Sequence, residues 1–114
     1  MQYINCITNT KVKNSENLKS ELAKALDSIA DKGEKWLMVS VLSEEKLYFQ
    51  GNDSPAAFIE VKYLGSFSSE VKTELTKAYS KILETEAGIS PDRLYIKFTG
   101  AKAEDWGWNG NMFG

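Results

Sequence analysis

The chain has 114 residues, 42% of them apolar, with 14 Lys and Arg against 16 Asp and Glu for a net charge of −2. That length holds one domain, residues 1–114, with enough apolar chain for a core and no room for a multidomain enzyme. A single arginine, Arg93, in a slightly acidic chain excludes the clustered cations that nucleic-acid binding requires.

The first strand-like run is Gln2–Thr8, which carries the only cysteine, Cys6, expected to be a buried small hydrophobe. From Ser15 to Lys32 the apolar positions Leu18, Leu22, Ala25, Leu26 and Ile29 form one helical stripe. Asn14 or Ser15 supplies its N-cap and Gly33 its C′ residue. Trp36–Leu42 and the short Leu47–Phe49 read as strands, and Gly51-Asn52-Asp53-Ser54-Pro55 turns the chain into a further strand at Ala57–Leu64. A second helix spans Ser68 to Ala87, with Val71, Leu75, Ala78, Tyr79, Ile82 and Leu83 on its stripe and Gly88 closing it. Ser90-Pro91-Asp92 leads into the last strand, Leu94–Thr99.

Two βαβ units of similar length therefore fill the chain. Right-handed crossovers place both helices on one face of a four-stranded, mostly parallel sheet. The fold class is α/β, a two-layer sandwich built from a duplicated unit. Trp36–Leu42 is apolar at both parities, as a strand covered on both faces would be. Two helices cover only one face, so self-association through the bare faces is expected; the alternative is that Ser40, Glu60 and Lys62 mark a solvated face. The tail from Ala101 to Gly114 sets Trp106, Trp108 and Phe113 among Gly and Asn without a helical period. Such aromatics either cap the core or reach a neighbouring subunit to wall a pocket.

The chain contains no histidine and one cysteine. That excludes Ser-His-Asp and Cys-His nucleophile systems, an intramolecular disulfide and a zinc site of the usual kind. Proton transfer near neutral pH would have to use a perturbed carboxylate, Lys or Tyr, or the amino terminus, with its reference pKa of about 7.7–8.0. No cofactor is called for. Apolar runs such as Trp36–Val39 fall far short of the ~20 residues of a membrane helix, and no export signal is visible. The expected location is cytoplasmic, or outside the cell by a route that needs no signal peptide.

Three segments carry a resemblance: Ile89-Ser90-Pro91-Asp92-Arg93-Leu94-Tyr95-Ile96-Lys97-Phe98, Trp106-Gly107-Trp108-Asn109-Gly110-Asn111-Met112-Phe113, and Ile59-Glu60-Val61-Lys62-Tyr63-Leu64-Gly65. At this spacing the chain resembles the macrophage migration inhibitory factor family of the tautomerase superfamily over essentially its whole length. The resemblance implies a homotrimer whose three sheets form a central barrel with the helices outside. It also implies tautomerisation of phenylpyruvate-like and dopachrome-like compounds. The family's base is an N-terminal proline, whose amine loses basicity among apolar side chains and takes a proton from the carbon beside the carbonyl.

By the same resemblance Lys32 matches the pocket lysine, unless it is simply a solvated cation at a helix end. Leu64 matches a residue whose backbone can hydrogen-bond the substrate, with Tyr63 before it. Tyr95 matches a pocket tyrosine contributed by the adjacent subunit, and Lys97 replaces an Asn, adding positive charge. Trp36, Trp106, Trp108 and Phe113 fall at pocket walls or rims, or serve packing alone. At the catalytic position stands Gln2, whose amide is not a base. Removal of an initiator Met needs a small residue or proline next to it, so Met1 is expected to stay, with its primary amine a poor substitute. The implied ligands are small aromatic carboxylic acids in keto or enol form, with weak or absent tautomerase activity. The alternative is a non-catalytic, cytokine-like protein that works through a protein partner.

One further motif lies in the middle of the chain. Glu45-Lys46-Leu47-Tyr48-Phe49-Gln50-Gly51 resembles the cleavage motif of a viral cysteine protease. Its internal position, at a short strand and turn, marks it as native sequence.

Overall fold

The computed structural model describes residues 1–114. β1 (Gln2–Thr8) leads to α1 (Ser15–Ala30), then through a short 3-10 turn at Glu34–Trp36 to β2 (Leu37–Leu42). The second unit runs β3 (Ala57–Leu64), α2 (Ser69–Ala87) and β4 (Leu94–Ala101), and the tail closes with β5 (Gly107–Trp108) and β6 (Asn111–Met112).

The helices form where the stripes place them. The Asn14 side chain accepts the Asn17 N–H at 3.0 Å and caps α1. Ser68 does the same for α2 through the Val71 N–H at 3.2 Å. Leu18, Leu22 and Leu26 of α1 and Leu75, Tyr79 and Leu83 of α2 are fully buried. Each such leucine contributes roughly 1.5–3 kcal/mol relative to exposure. α2 ends on Gly88 in the left-handed region, as expected. The end of α1 differs: Asp31, at φ 55°, takes the left-handed cap position, and its N–H returns to the Asp27 carbonyl. Asp is among the few non-glycine residues that visit that conformation, so Gly33 is left to open the 3-10 turn in extended geometry.

The main sheet has strand order β2-β1-β3-β4. Each βαβ unit supplies a parallel pair, β1 with β2 and β3 with β4, and the two units meet through an antiparallel β1–β3 pair. The sheet is therefore mostly parallel with an antiparallel centre. The chain between β2 and β3 makes no crossover helix, so β3 enters beside β1 in the opposite direction. Both helices cover the face that carries Ile4, Cys6, Ile59 and Val61, all fully buried. Burial pushes the Cys6 thiol up to about 12, which makes it inert near neutral pH.

The other face is bare in one chain, and its three rungs differ. Ile7, Leu42, Phe58 and Tyr95 share an apolar rung, Asn5, Ser40, Glu60 and Lys97 a polar one, and Tyr3, Met38, Lys62 and Thr99 a mixed one. The Tyr3 hydroxyl lies 2.8 Å from Ser40 Oγ, which donates to Asn5 Oδ1 at 2.7 Å. The bare face is thus neither a continuous apolar surface nor a uniformly solvated one.

The Leu47–Phe49 segment is not a strand; its one ladder contact is an isolated bridge between Phe49 and Asn52. Side chains satisfy its backbone instead. Asn9 donates to the carbonyls of Leu47, Asp53 and Ser54, and Arg93 donates to those of Phe49, Asn52, Ser54 and Pro55. No helix is long and apolar enough to cross a membrane.

Candidate functional site

A cleft of about 420 Å³ opens at the end of the sheet where β1 begins. Met1, Gln2 and Tyr3 lie at its floor, and Trp36, Leu37 and Met38 together with Trp106 and Trp108 of the tail form its wall. The register explains the convergence: Gln2 pairs with Leu37 on one side and Tyr63 on the other. The strand start, the turn before β2 and the tail therefore meet at one corner.

The tail is held there by aromatic contacts rather than by a long ladder. Trp36 and Trp108 meet edge to face at 5.1 Å, and Phe113 stacks behind Trp108 at 6.3 Å. β5 and β6 form a hairpin whose turn residues Asn109 and Gly110 both have positive φ, the geometry that an Asn-Gly pair favours. The Phe113 N–H donates to the Trp106 carbonyl at 3.0 Å. The sequence signal for this hairpin was the Asn109-Gly110 dipeptide.

Met1 is fixed by its backbone. Its carbonyl accepts the Leu64 N–H at 3.1 Å, which extends the β1–β3 ladder by one residue. Partial burial, with the charge of Lys32 second, holds the Met1 amine below its ordinary 8.0. Gln2 is only 6% exposed, and its Oε1 has no hydrogen-bond partner. Leaving such a group unpaired costs about 1–3 kcal/mol. Lys35, which sequence reasoning missed, also lines the cleft, its Nζ 5.1 Å from the centre of the Trp36 ring. Its position three residues after Lys32 and next to Trp36 was the available signal.

Of the residues singled out from sequence, Gln2, Trp36, Trp106 and Trp108 line this cleft. Phe113 backs its wall, Leu64 anchors Met1, and Lys32 acts on the Met1 amine. Tyr63 is buried beneath it, stacked on Phe67 at 3.8 Å, and desolvation raises its hydroxyl pKa. Tyr95 and Lys97 lie elsewhere in the same chain. Gly100, not Tyr95, is the β4 residue level with Tyr63 and Gln2, so Tyr95 sits ~16 Å further along the strand at about 3.3 Å per residue. There its ring packs on Phe49 at 4.8 Å and on Phe58 at 6.3 Å. A larger hollow of about 540 Å³ lies beside Asn9, Glu45–Tyr48 and Asp53, but it has Tyr48 as its one aromatic and lacks the perturbed amine.

A family model for macrophage migration inhibitory factor (MIF) matches residues 1–114. The macrophage migration inhibitory factor of Meriones unguiculatus is 31% identical over 110 residues, covering 94% of this chain and 96% of the relative. The crystal structure of the homologue from Prochlorococcus marinus superposes with a TM-score of 0.91 at 33% identity, covering 98% of this chain and 99% of that one. The factor from Trichinella spiralis superposes with a TM-score of 0.88 at 26% identity, covering 97% and 99%. With the duplicated βαβ sandwich, these matches show that the chain belongs to the macrophage migration inhibitory factor family.

Proposed function

We propose that the chain assembles as a homotrimer whose intersubunit clefts bind small aromatic keto or enol acids, with weak or absent tautomerase activity. The observation that carries this reading is Gln2 at the floor of a cleft walled by Trp36, Trp106 and Trp108. An aromatic ring packs well against such side chains, while Lys32, beside the Met1 amine, attracts the carboxylate. Tyr95 and Lys97, displaced along β4 from the cleft of their own chain, are free to complete the cleft of a neighbouring copy. The Leu64 backbone and Tyr63 then border the ligand from below. A cytoplasmic location, or release without a signal peptide, accords with this reading.

Proton transfer is the weak step. The resemblance puts a proline amine where Gln2 stands, and a carboxamide does not accept a proton near neutral pH. In a chain that begins at Met1, the remaining acceptor is its primary amine, whose pKa burial and then Lys32 lower from 8.0. A well-placed general base contributes about 10²–10⁴-fold, so loss of the proline predicts a deficit of that order.

The second reading, a non-catalytic protein with a protein partner, draws on the exposure of Trp36, Met38, Trp108, Met112 and Phe113 around the same corner. Phenylpyruvate enol–keto conversion by this chain and by Gln2→Pro freed of Met1, compared after intact-mass confirmation of both termini, separates the two. A gain of about 10²-fold or more supports a competent pocket lacking only its base. Absence of activity in both proteins favours the partner surface, and equal, substantial rates in both overturn the role given to Gln2.

A further inference from the structure

Lys32 and Lys35 flank the start of the short turn before β2, and neither makes an ion pair. The three ion pairs in the chain are Lys19–Glu16, Lys24–Glu21 and Lys62–Glu60. Although the chain carries a net charge of −2, the cleft lining contains no Asp or Glu. Asp31 and Glu34 are neighbours in sequence, are exposed, and pair with neither lysine. The two ammoniums also differ in place. Lys32 acts on the Met1 amine at the floor, whereas Lys35 is held over the Trp36 ring, the residue that meets Trp108 edge to face. One positive charge thus stands beside the Met1 floor of the cleft and another over its aromatic wall.

We propose that this cleft prefers aromatic ligands that carry a second carboxylate on the ring, held by Lys35. The inference rests on the ligand-binding reading above and extends it to a substrate class. A monoanion compensates one of the two cations and leaves the other unpaired; a dianion compensates both. Lys35 is exposed, so its contribution to affinity is that of a surface ion pair: a few-fold, and weakened by salt.

All three tryptophans of the chain line the cleft, so quenching of intrinsic fluorescence reports ligand there. Phenylacetate and 4-carboxyphenylacetate form a matched pair differing by one ring carboxylate. Titrated at low ionic strength, the dianion should bind roughly 3- to 5-fold tighter, and the ratio should shrink in high salt. In Lys35→Gln the ratio should fall to about 1, and Lys35→Arg should restore it. Quenching by both compounds with equal affinity, or a dianion preference that survives Lys35→Gln, overturns this inference alone. Saturable quenching by neither compound overturns the ligand-binding reading on which it rests.

Discussion

Trp36 and Trp108 meet edge to face at 5.1 Å and an interplanar angle of 83°, which ties the turn before β2 to a hairpin more than seventy positions later. β5 and β6 are two residues each, too short to hold themselves together. The pair, backed by Phe113, is therefore what keeps the tail over the cleft. Trp108→Ala should lower stability by about 1–2 kcal/mol, from the aromatic pair and its buried area. It should also weaken ligand quenching of the remaining tryptophans. Urea denaturation and a fluorescence titration check the two effects separately.

Two buried polar atoms have no partner: Gln2 Oε1 and the Tyr79 hydroxyl. Burial also raises the Tyr79 pKa strongly, which keeps that hydroxyl protonated. Removing an unsatisfied group while keeping its shape is neutral to stabilising. Tyr79→Phe should leave the urea midpoint unchanged or raise it, by up to about 1 kcal/mol. Gln2→Met should do the same. A loss above about 1 kcal/mol in either variant would mean that the native group has a partner.

The Met1 amine supplies a pH test in a chain that begins at that residue. Its pKa is lowered from 8.0 by burial first and by Lys32 second. The unfolded state then binds the proton more tightly, so this group's contribution to stability rises with pH between the folded value and 8.0. Below that window it works against the fold. Reductive methylation followed across pH, with the label read by NMR, should titrate this amine below 8.0. Lys32→Gln should move it upward, though not fully to 8.0, since burial remains. An amine that titrates at 8.0 in both proteins would contradict the electrostatic picture of the floor.

The protease-like segment gives a probe of local opening. Gln50 and Gly51 both have positive φ, and Phe49 and Asn52 bond to each other across them. The Gln50–Gly51 bond therefore lies in a tight turn, whereas a protease of this kind binds extended chain. Arg93 holds four carbonyls of the surrounding loop. The folded protein should resist the protease that reads this motif. Arg93→Ala should accelerate cleavage at Gly51 at least ~10-fold, because each charged hydrogen bond lost contributes roughly 1.5–3 kcal/mol to holding the loop closed. Rapid cleavage of the unsubstituted chain would show that the clamp does not hold.

Much of this architecture was legible in the amino-acid order. The two helical stripes, the cap at Gly88 and the choice of Asn14 or Ser15 for the first cap declare themselves because the 3.6-residue period and capping chemistry are local. The antiparallel centre of the sheet was not, since which strand sits beside β1 is decided by long-range packing. Leu47–Phe49 carries strand-forming residues, yet Asn9 and Arg93 satisfy its backbone from far away in sequence. Within the cleft, Gln2 and Trp36 were visible through the resemblance alone, whereas Trp106 and Trp108 stood out as large aromatics in an aperiodic tail. Lys35 entered only when register brought the start of β1 against Leu37.

Whether two copies build each cleft is decided most directly by sedimentation equilibrium of the full chain. Tyr95 and Lys97 can reach a cleft of this kind only from another copy, so the account expects a single species of three times 12.8 kDa that stays intact at micromolar concentration. A species of 12.8 kDa under the same conditions would contradict it.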